Sequence, residues 1–213
     1  TQPPGSGTQG SPYEISTLDH LFWIASSSTS FASFTYFIQT ADIDASDTTN
    51  WYDGQGWRPI NASRSDFIKL YDGQGHTISG LKIDVYEITT TNGWGREGCA
   101  GLFGVVSGGE IRSLGLVNAD ISLGFGSYVG ALAGQCVGTK IQDCYATGVV
   151  KGGQVQDCGG LLGTVFLGSL VERCYFDGVV QSSSGLTVPQ RAGGLVGTLE
   201  AGDLRDCYAV GVF

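Results

Sequence analysis

AGLFGVVSGGEIRSLGLVNADIS from Ala100, GALAGQCVGTKIQDCYATGVVKG from Gly130, GGLLGTVFLGSLVERCYFDGVVQS from Gly159 and GGLVGTLEAGDLRDCYAVGVF from Gly193 are four versions of one unit. Their starts are separated by 30, 29 and 34 residues. The shared pattern is Gly-Gly-Leu-x-Gly, a second Gly about four residues on, then Ile/Leu/Val-x-x-Cys-Tyr and Gly-Val-Val. Self-similarity at such a period signals a repeat architecture. The unit lacks the apolar period of about 3.6 residues that a helical repeat needs. Cys144 and Ala146 alternate with Tyr145 and Thr147, the two-residue period of a strand, and Gly marks the corners. Stacked coils, each adding one strand to several parallel sheets, satisfy both facts. The expected fold is therefore all-β: a parallel β-solenoid, or β-helix, with one coil of about 30 residues per repeat.

Equivalent positions in such a stack lie about 4.8 Å apart, so columns test the alignment. Ile111, Ile141, Val171 and Leu204 form a uniformly aliphatic inward column. Ser113, Asp143, Arg173 and Asp206 form an outer one, and Arg112, Gln142, Glu172 and Arg205 its neighbour. Opposite charges adjoin in most of these steps, as cross-strand pairing favours. Upstream, Leu18, Leu21, Phe22 and Ala25 fall at i, i+3, i+4 and i+7, and Ser16 with Asp19 has capping-box spacing. A short amphipathic helix starting near Ser16 is expected to cap the first coil.

The four blocks resemble the GLUG repeat of bacterial surface and secreted proteins, found in the β-helical region of immunoglobulin A1-specific metallopeptidases and in adhesin-like chains. ADIDAS at 41–46, WRPIN at 57–61 and FIKLYDGQGHTISGLKI at 67–83 are similar to segments that commonly precede such repeats. The resemblance covers residues 12–213 and implies the fold, with little implication for activity. The expected organisation is a flexible leader over 1–11 and a single solenoid domain over 12–213. Within that domain, 12–99 would hold the N-terminal cap and first coils, and 100–213 the four GLUG-like repeats.

Composition agrees and excludes. Gly makes up 35 of 213 residues and charged residues only 15 %, while 41 % are hydrophobic, too apolar for disorder. The net charge of −9 disfavours nucleic acid and anionic membrane surfaces as partners. No apolar run approaches the roughly 18 to 20 residues of a membrane span, so no membrane insertion is expected. There is no Met, and TQPPGSGTQGS opens the chain, which reads as a secreted or cell-surface protein after signal-peptide removal, or as a fragment of a longer one.

Candidate chemistry is sparse. Six Cys occur. Cys99 and Cys158 align with Val129 and Ala192, Cys136 with Val106, Val165 and Leu199, and Cys144, Cys174 and Cys207 with Leu114. Apolar company points to buried, unpaired thiols; disulfides between coils are the alternative, and without CxxC spacing zinc has no support. Tyr145, Tyr175 and Tyr208 should point outward as an aromatic column, either a self-supporting stack or a face that binds a glycan or partner protein. Asp42, Asp44, Asp47 and Asp53 are loosely calcium-like, but the DIDL-type segment reads as a strand with its acids outward. Asn61 heads a sequon, Asn61-Ala62-Ser63. His20 and His76 have no nucleophile at a recognisable spacing and HExxH is absent, so neither an enzyme nor a metal or cofactor site is expected.

The expected function is that of a non-enzymatic extracellular structural protein that assembles head to tail with copies of itself into a filament or surface layer, with the leader able to cross to a neighbour. The alternative is an adhesin or accessory module that holds a glycan or host surface protein on the Tyr column or on the loop from Thr89 to Gly98.

Overall fold

A computed structural model describes residues 1–27, 35–60, 68–87, 98–182 and 190–213. It is a right-through stack of parallel strands, in agreement with the expected β-solenoid. A seven-stranded sheet contains, in order, Tyr13–Ile15, Thr35–Gln39, Ile68–Asp72, Glu110–Arg112, Lys140–Gln142, Leu170–Glu172 and Asp203–Arg205. A second long sheet runs from Tyr208–Val212 through Tyr175–Ser182, Tyr145–Gln154 and Gly115–Phe125 to Thr77–Ser79 and Ile43–Asp44. Two four-stranded sheets, one through Ala133–Val137 and Leu162–Phe166 and one through Tyr128–Val129 and Asp157–Gly159, close each coil.

Register explains why these sequences choose this fold. The inward column Tyr13, Phe37, Tyr71, Ile111, Ile141, Val171 and Leu204 is continuous across the first sheet. Apolar side chains therefore stack on apolar side chains at every rung. The second sheet contributes Ile43, Ile78, Leu116, Ala146, Phe176 and Ala209. Side-chain sizes complement one another: Phe176 sits between two alanines and fills space that Gly160 leaves open, where a Cβ would meet the ring at 2.3 Å. At the N-terminal end the core is aromatic, with Phe37 6.3 Å from Tyr71 and Tyr71 5.5 Å from Phe103 between ring centroids.

The outer columns pair as their charges suggest. Arg173 grips Asp143 with two bonds of 2.7 and 2.9 Å, and Gln142 donates to Glu172 at 2.6 Å. The ladder continues upstream, where Arg112 bonds Asp72 through Nε at 3.0 Å and Nη2 at 2.8 Å. These contacts hold the Asp143 and Glu172 carboxyls below their ordinary range, Asp143 through Arg173 and Glu172 through Gln142 first and Arg173 second. One expectation changes. Ser113, Asp143, Arg173 and Asp206 are not strand residues but corners, each with φ between 51° and 53°. The left-handed turn recurs once per coil, at a position where short polar side chains are best tolerated.

The helix Leu18–Ser27 forms, but its cap lies one residue later than expected. Thr17 accepts the His20 amide on Oγ1 at 3.2 Å and so takes the capping role expected of Ser16, while His20 Nδ1 accepts the Ser16 amide at 3.3 Å. Leu21 and Ile24 are fully buried, with Leu18 and Ala25 packed beside them. Phe22 is not part of that stripe and stays 38 % exposed. Residues 1–11 are not a free leader: Pro4 and Gly7 carbonyls accept the Glu14 and Tyr36 amides at 2.9 Å each, which ties the segment to the first rung.

Glycine is indispensable where rungs touch. The column Gly148, Gly178, Gly211 lies in register, and a Cβ at Gly178 would stand 2.0 Å from the Gly148 carbonyl oxygen. Gly178→Ala should lower unfolding stability by about 1–3 kcal/mol, the cost of overpacking a rigid site. Asp177→Ala, one residue away and exposed, should change it little. Thermal unfolding of the two variants checks the contrast.

Candidate binding surface

The Tyr column exists as the sequence predicts. Tyr145, Tyr175 and Tyr208 occupy the same position on successive coils. Their ring centroids are 4.9 and 5.1 Å apart and the planes agree within 3° in both pairs. Each is placed by the same backbone bond, from its amide to the carbonyl of Leu114, Cys144 or Cys174 on the preceding coil, at 3.1 to 3.2 Å. The rung spacing alone forces the stack, because rings in register have nowhere else to lie. Below Tyr145 the column ends on Gly115, where a Cβ would meet the ring at 2.5 Å. Tyr145 and Tyr175 are half-buried and Tyr208 is 55 % exposed. Stacking also raises the Tyr175 phenol above its ordinary range, by desolvation first and by the neighbouring Tyr145 and Tyr208 next. The surface offers flat apolar rings beside the Asp143–Arg173 ion pair at the adjoining corner.

Cys136, Cys144, Cys158, Cys174 and Cys207 are free thiols, and of the six cysteines all but Cys207 are buried. Cys144, Cys174 and Cys207 repeat one arrangement: each Sγ lies 3.1 to 3.2 Å from the carbonyl two residues back and 3.5 to 3.7 Å from a carbonyl one coil away. Burial pushes Cys136 and Cys158 up to about 12 and holds Cys144 well above its ordinary range. One column needs correction. Cys99 pairs with Tyr128, while Ala100, Val129, Cys158 and Ala192 share the next column. The corner from Ala100 to Phe103 is one residue shorter than that from Val129 to Ala133, so an alignment fixed on the Gly-apolar block slips by one before it.

The acidic candidates are occupied by structure. Asp42 accepts the Thr77 amide at 2.8 Å and contacts His76 Nδ1 at 3.2 Å; Asp44 accepts the Ser46 amide at 2.8 Å. Both carboxyls lie below their ordinary range, through the Thr77 bond and the Ser46 bond first. Among the described residues, no three His, Cys, Asp or Glu come together as a metal site. His20 is engaged with Ser16 at the helix start. Asn61 and residues 89–97 of the predicted loop lie outside the described residues.

Sequence reading missed one buried charge. Asp157 is fully buried and receives Arg191 Nε at 2.6 Å, across a register step of 34 residues that places Arg191 beside it. A buried carboxylate with such a partner is a structural clamp whose loss leaves an uncompensated charge. Its sequence signal is slight: it and Arg191 each precede a small residue of one column, Cys158 and Ala192.

Rungs, core columns and the aromatic stack define a parallel β-solenoid with a laterally exposed tyrosine ladder. A segment of halomucin from Haloquadratum walsbyi (strain DSM 16790 / HBSQ001) is 40 % identical over 173 residues, covering 78 % of this chain. The match amounts to 2 % of halomucin's own length. Among solved structures, a Bacteroides ovatus protein provisionally described as an immunoglobulin A1 protease is similar, with a TM-score of 0.51 over 96 % of this chain and 77 % of that one. At 20 % identity this likeness bears on the fold alone. No family model matches the chain. Among the described residues, no helix is long and apolar enough to cross a membrane.

The buried ladder has a direct chemical readout. In guanidinium at pH 8, a thiol reagent should titrate six cysteines, whereas the native protein should expose only Cys207 promptly. Fewer than four free thiols after unfolding would show that coils are bridged by disulfides.

Proposed function

We propose that this chain is a non-catalytic structural module of an extracellular or cell-surface protein, and that its solenoid lengthens by stacking a further coil on its last rung. The observation that carries this reading is the face of that rung. Leu199 and Leu204 are 44 % and 39 % exposed, on strands at the open edge of parallel sheets. Their counterparts one coil earlier, Val165 and Val171, are fully buried. An edge of this kind favours another coil of matching register. The likeness to a segment of halomucin, a mucin by name, supports a place outside the cell.

In solutions of the 213-residue chain the added coil would come from a second copy. Sedimentation and electron microscopy should then show rods that lengthen with concentration, from about micromolar upward. Leu199→Lys with Leu204→Lys should disperse them. A chain that remains a single particle at every concentration rules out self-assembly and leaves the open rung to be covered from within a longer polypeptide.

A second reading is favoured by the ladder itself. Three parallel, stacked rings, held in place by the fold, present a row of ring edges and hydroxyls that suits contact with a glycan or partner protein. Tyr175→Ser interrupts the column at its middle. It should abolish retention on any glycan that the unmodified chain holds on an array, while circular dichroism stays unchanged. Retention of the same glycans by the variant excludes the ladder as the contact.

A further inference from the structure

Away from the ladder, the start of the helix Leu18–Ser27 and the turn at 51–52 enclose an open recess of about 380 Å³, lined by Asp19, Phe22, Trp51 and Tyr52. The geometry points to a binding site for a small organic cation of the quaternary ammonium class, held in the corner between Phe22 and Trp51 beneath the Asp19 carboxylate.

Three observations carry it. The walls are aromatic and fixed. Phe22 and Trp51 meet at 5.4 Å and 80°, a right-angled corner, and Trp51 is backed at 5.9 Å by Trp57. Trp57 is fully buried, with its Nε1–H donated to the Leu102 carbonyl at 3.1 Å. Tyr52 is held in a left-handed conformation, φ 50°, by a tight turn whose Gly54 and Gly56 amides both bond the Trp51 carbonyl at 3.1 Å. A left-handed aromatic residue is an uncommon expense of backbone strain. Its side chain lines the recess and stays half-buried.

The charge is of one sign. Asp19 precedes Phe22 by three residues on the helix, so both project from one face. None of the four lining residues is basic, and the chain as a whole carries −9. Asp19, the one charged residue of the lining, opposes an anion. A neutral sugar would find few polar partners beyond one carboxylate and one phenol.

The same corner already holds a cation on a ring. Arg58 places its guanidinium carbon 3.7 Å from the Tyr52 centroid, and its Nε is buried without an acceptor. Ring electrons here take the place of oxygen acceptors, as in other cation–π contacts. Because that guanidinium occupies one face of Tyr52, the added cation belongs against Phe22 and Trp51, next to Asp19. This also accounts for Phe22, which the helical spacing assigns to the buried stripe but the fold leaves exposed.

The test uses the full 213-residue chain and two probes of equal shape, choline and its uncharged isostere 3,3-dimethyl-1-butanol. Tryptophan fluorescence should respond saturably to choline, with Kd on the order of millimolar for a partly exposed cation–π site. The isostere should bind at least about tenfold more weakly. Asp19→Asn should weaken choline several-fold and remove most of the salt dependence. Phe22→Ala, at an exposed position, should cost about tenfold without changing the melting temperature. Equal affinity for both probes, or choline binding unchanged in both variants, overturns the proposal. So does preferential binding of a neutral monosaccharide such as glucose.

Discussion

Every coil in this protein is obliged to sit in register on the one before it. Parallel backbone bonds repeat along each sheet, so a residue's nearest neighbour outside its own strand is its own equivalent, about 4.8 Å away. Most of the other features of the molecule are consequences. An apolar position must be apolar on every rung, and the Ile111, Ile141, Val171 column obeys. A charged position must alternate or pair, which is why Asp143 faces Arg173 and Asp72 faces Arg112. An aromatic position becomes a stack, because two tyrosines in register set their rings in parallel planes one rung apart. Glycine occupies the points at which backbone meets backbone, as at Gly148, Gly178 and Gly211.

The same constraint accounts for how much could be read from sequence. The fold was legible because stacking writes each structural demand four times over, 29 to 34 residues apart. Agreement among four copies outweighs the ambiguity of any single strand. The inward columns, the tyrosine ladder and the company kept by Cys144, Cys174 and Cys207 all followed from that redundancy. Where the repeats differ in length the inference slipped. The shorter corner after Ala100 moved Cys99 by one register position. Asn118, an extra residue relative to the next coil, makes a bulge that the alignment did not anticipate.

Features outside the repeat had no second copy to check them. Ser16 and Asp19 have the spacing of a capping box, yet Thr17 caps the helix, because competing caps one residue apart are separated only by tertiary context. The polar opening TQPPGSGTQGS has a disordered composition. Its carbonyls nevertheless find partners at Glu14 and Tyr36, where the edge of the first sheet leaves amides to satisfy. The Asp157–Arg191 clamp was invisible for a related reason: only one rung carries it. Its cost in burial is offset by a contact across a single step.

The recess at Asp19, Phe22, Trp51 and Tyr52 belongs to this non-repetitive end, and that location matters for function. A solenoid's repetitive flank offers the same contact on every rung, which suits extended or multivalent partners and discriminates poorly between them. Its irregular end is free of the register rule, so side chains from a helix and a tight turn can converge from different directions. Convergence is what a small-ligand site requires. The flank and the end therefore have different physical capacities: the tyrosine ladder is a repeating surface set by backbone spacing, whereas the aromatic corner is a single site set by a left-handed turn and a helix face. A change that alters rung spacing would disturb the first and leave the second in place, because Trp51 is buttressed by Trp57 within the first coils and not by the rungs that carry the tyrosines.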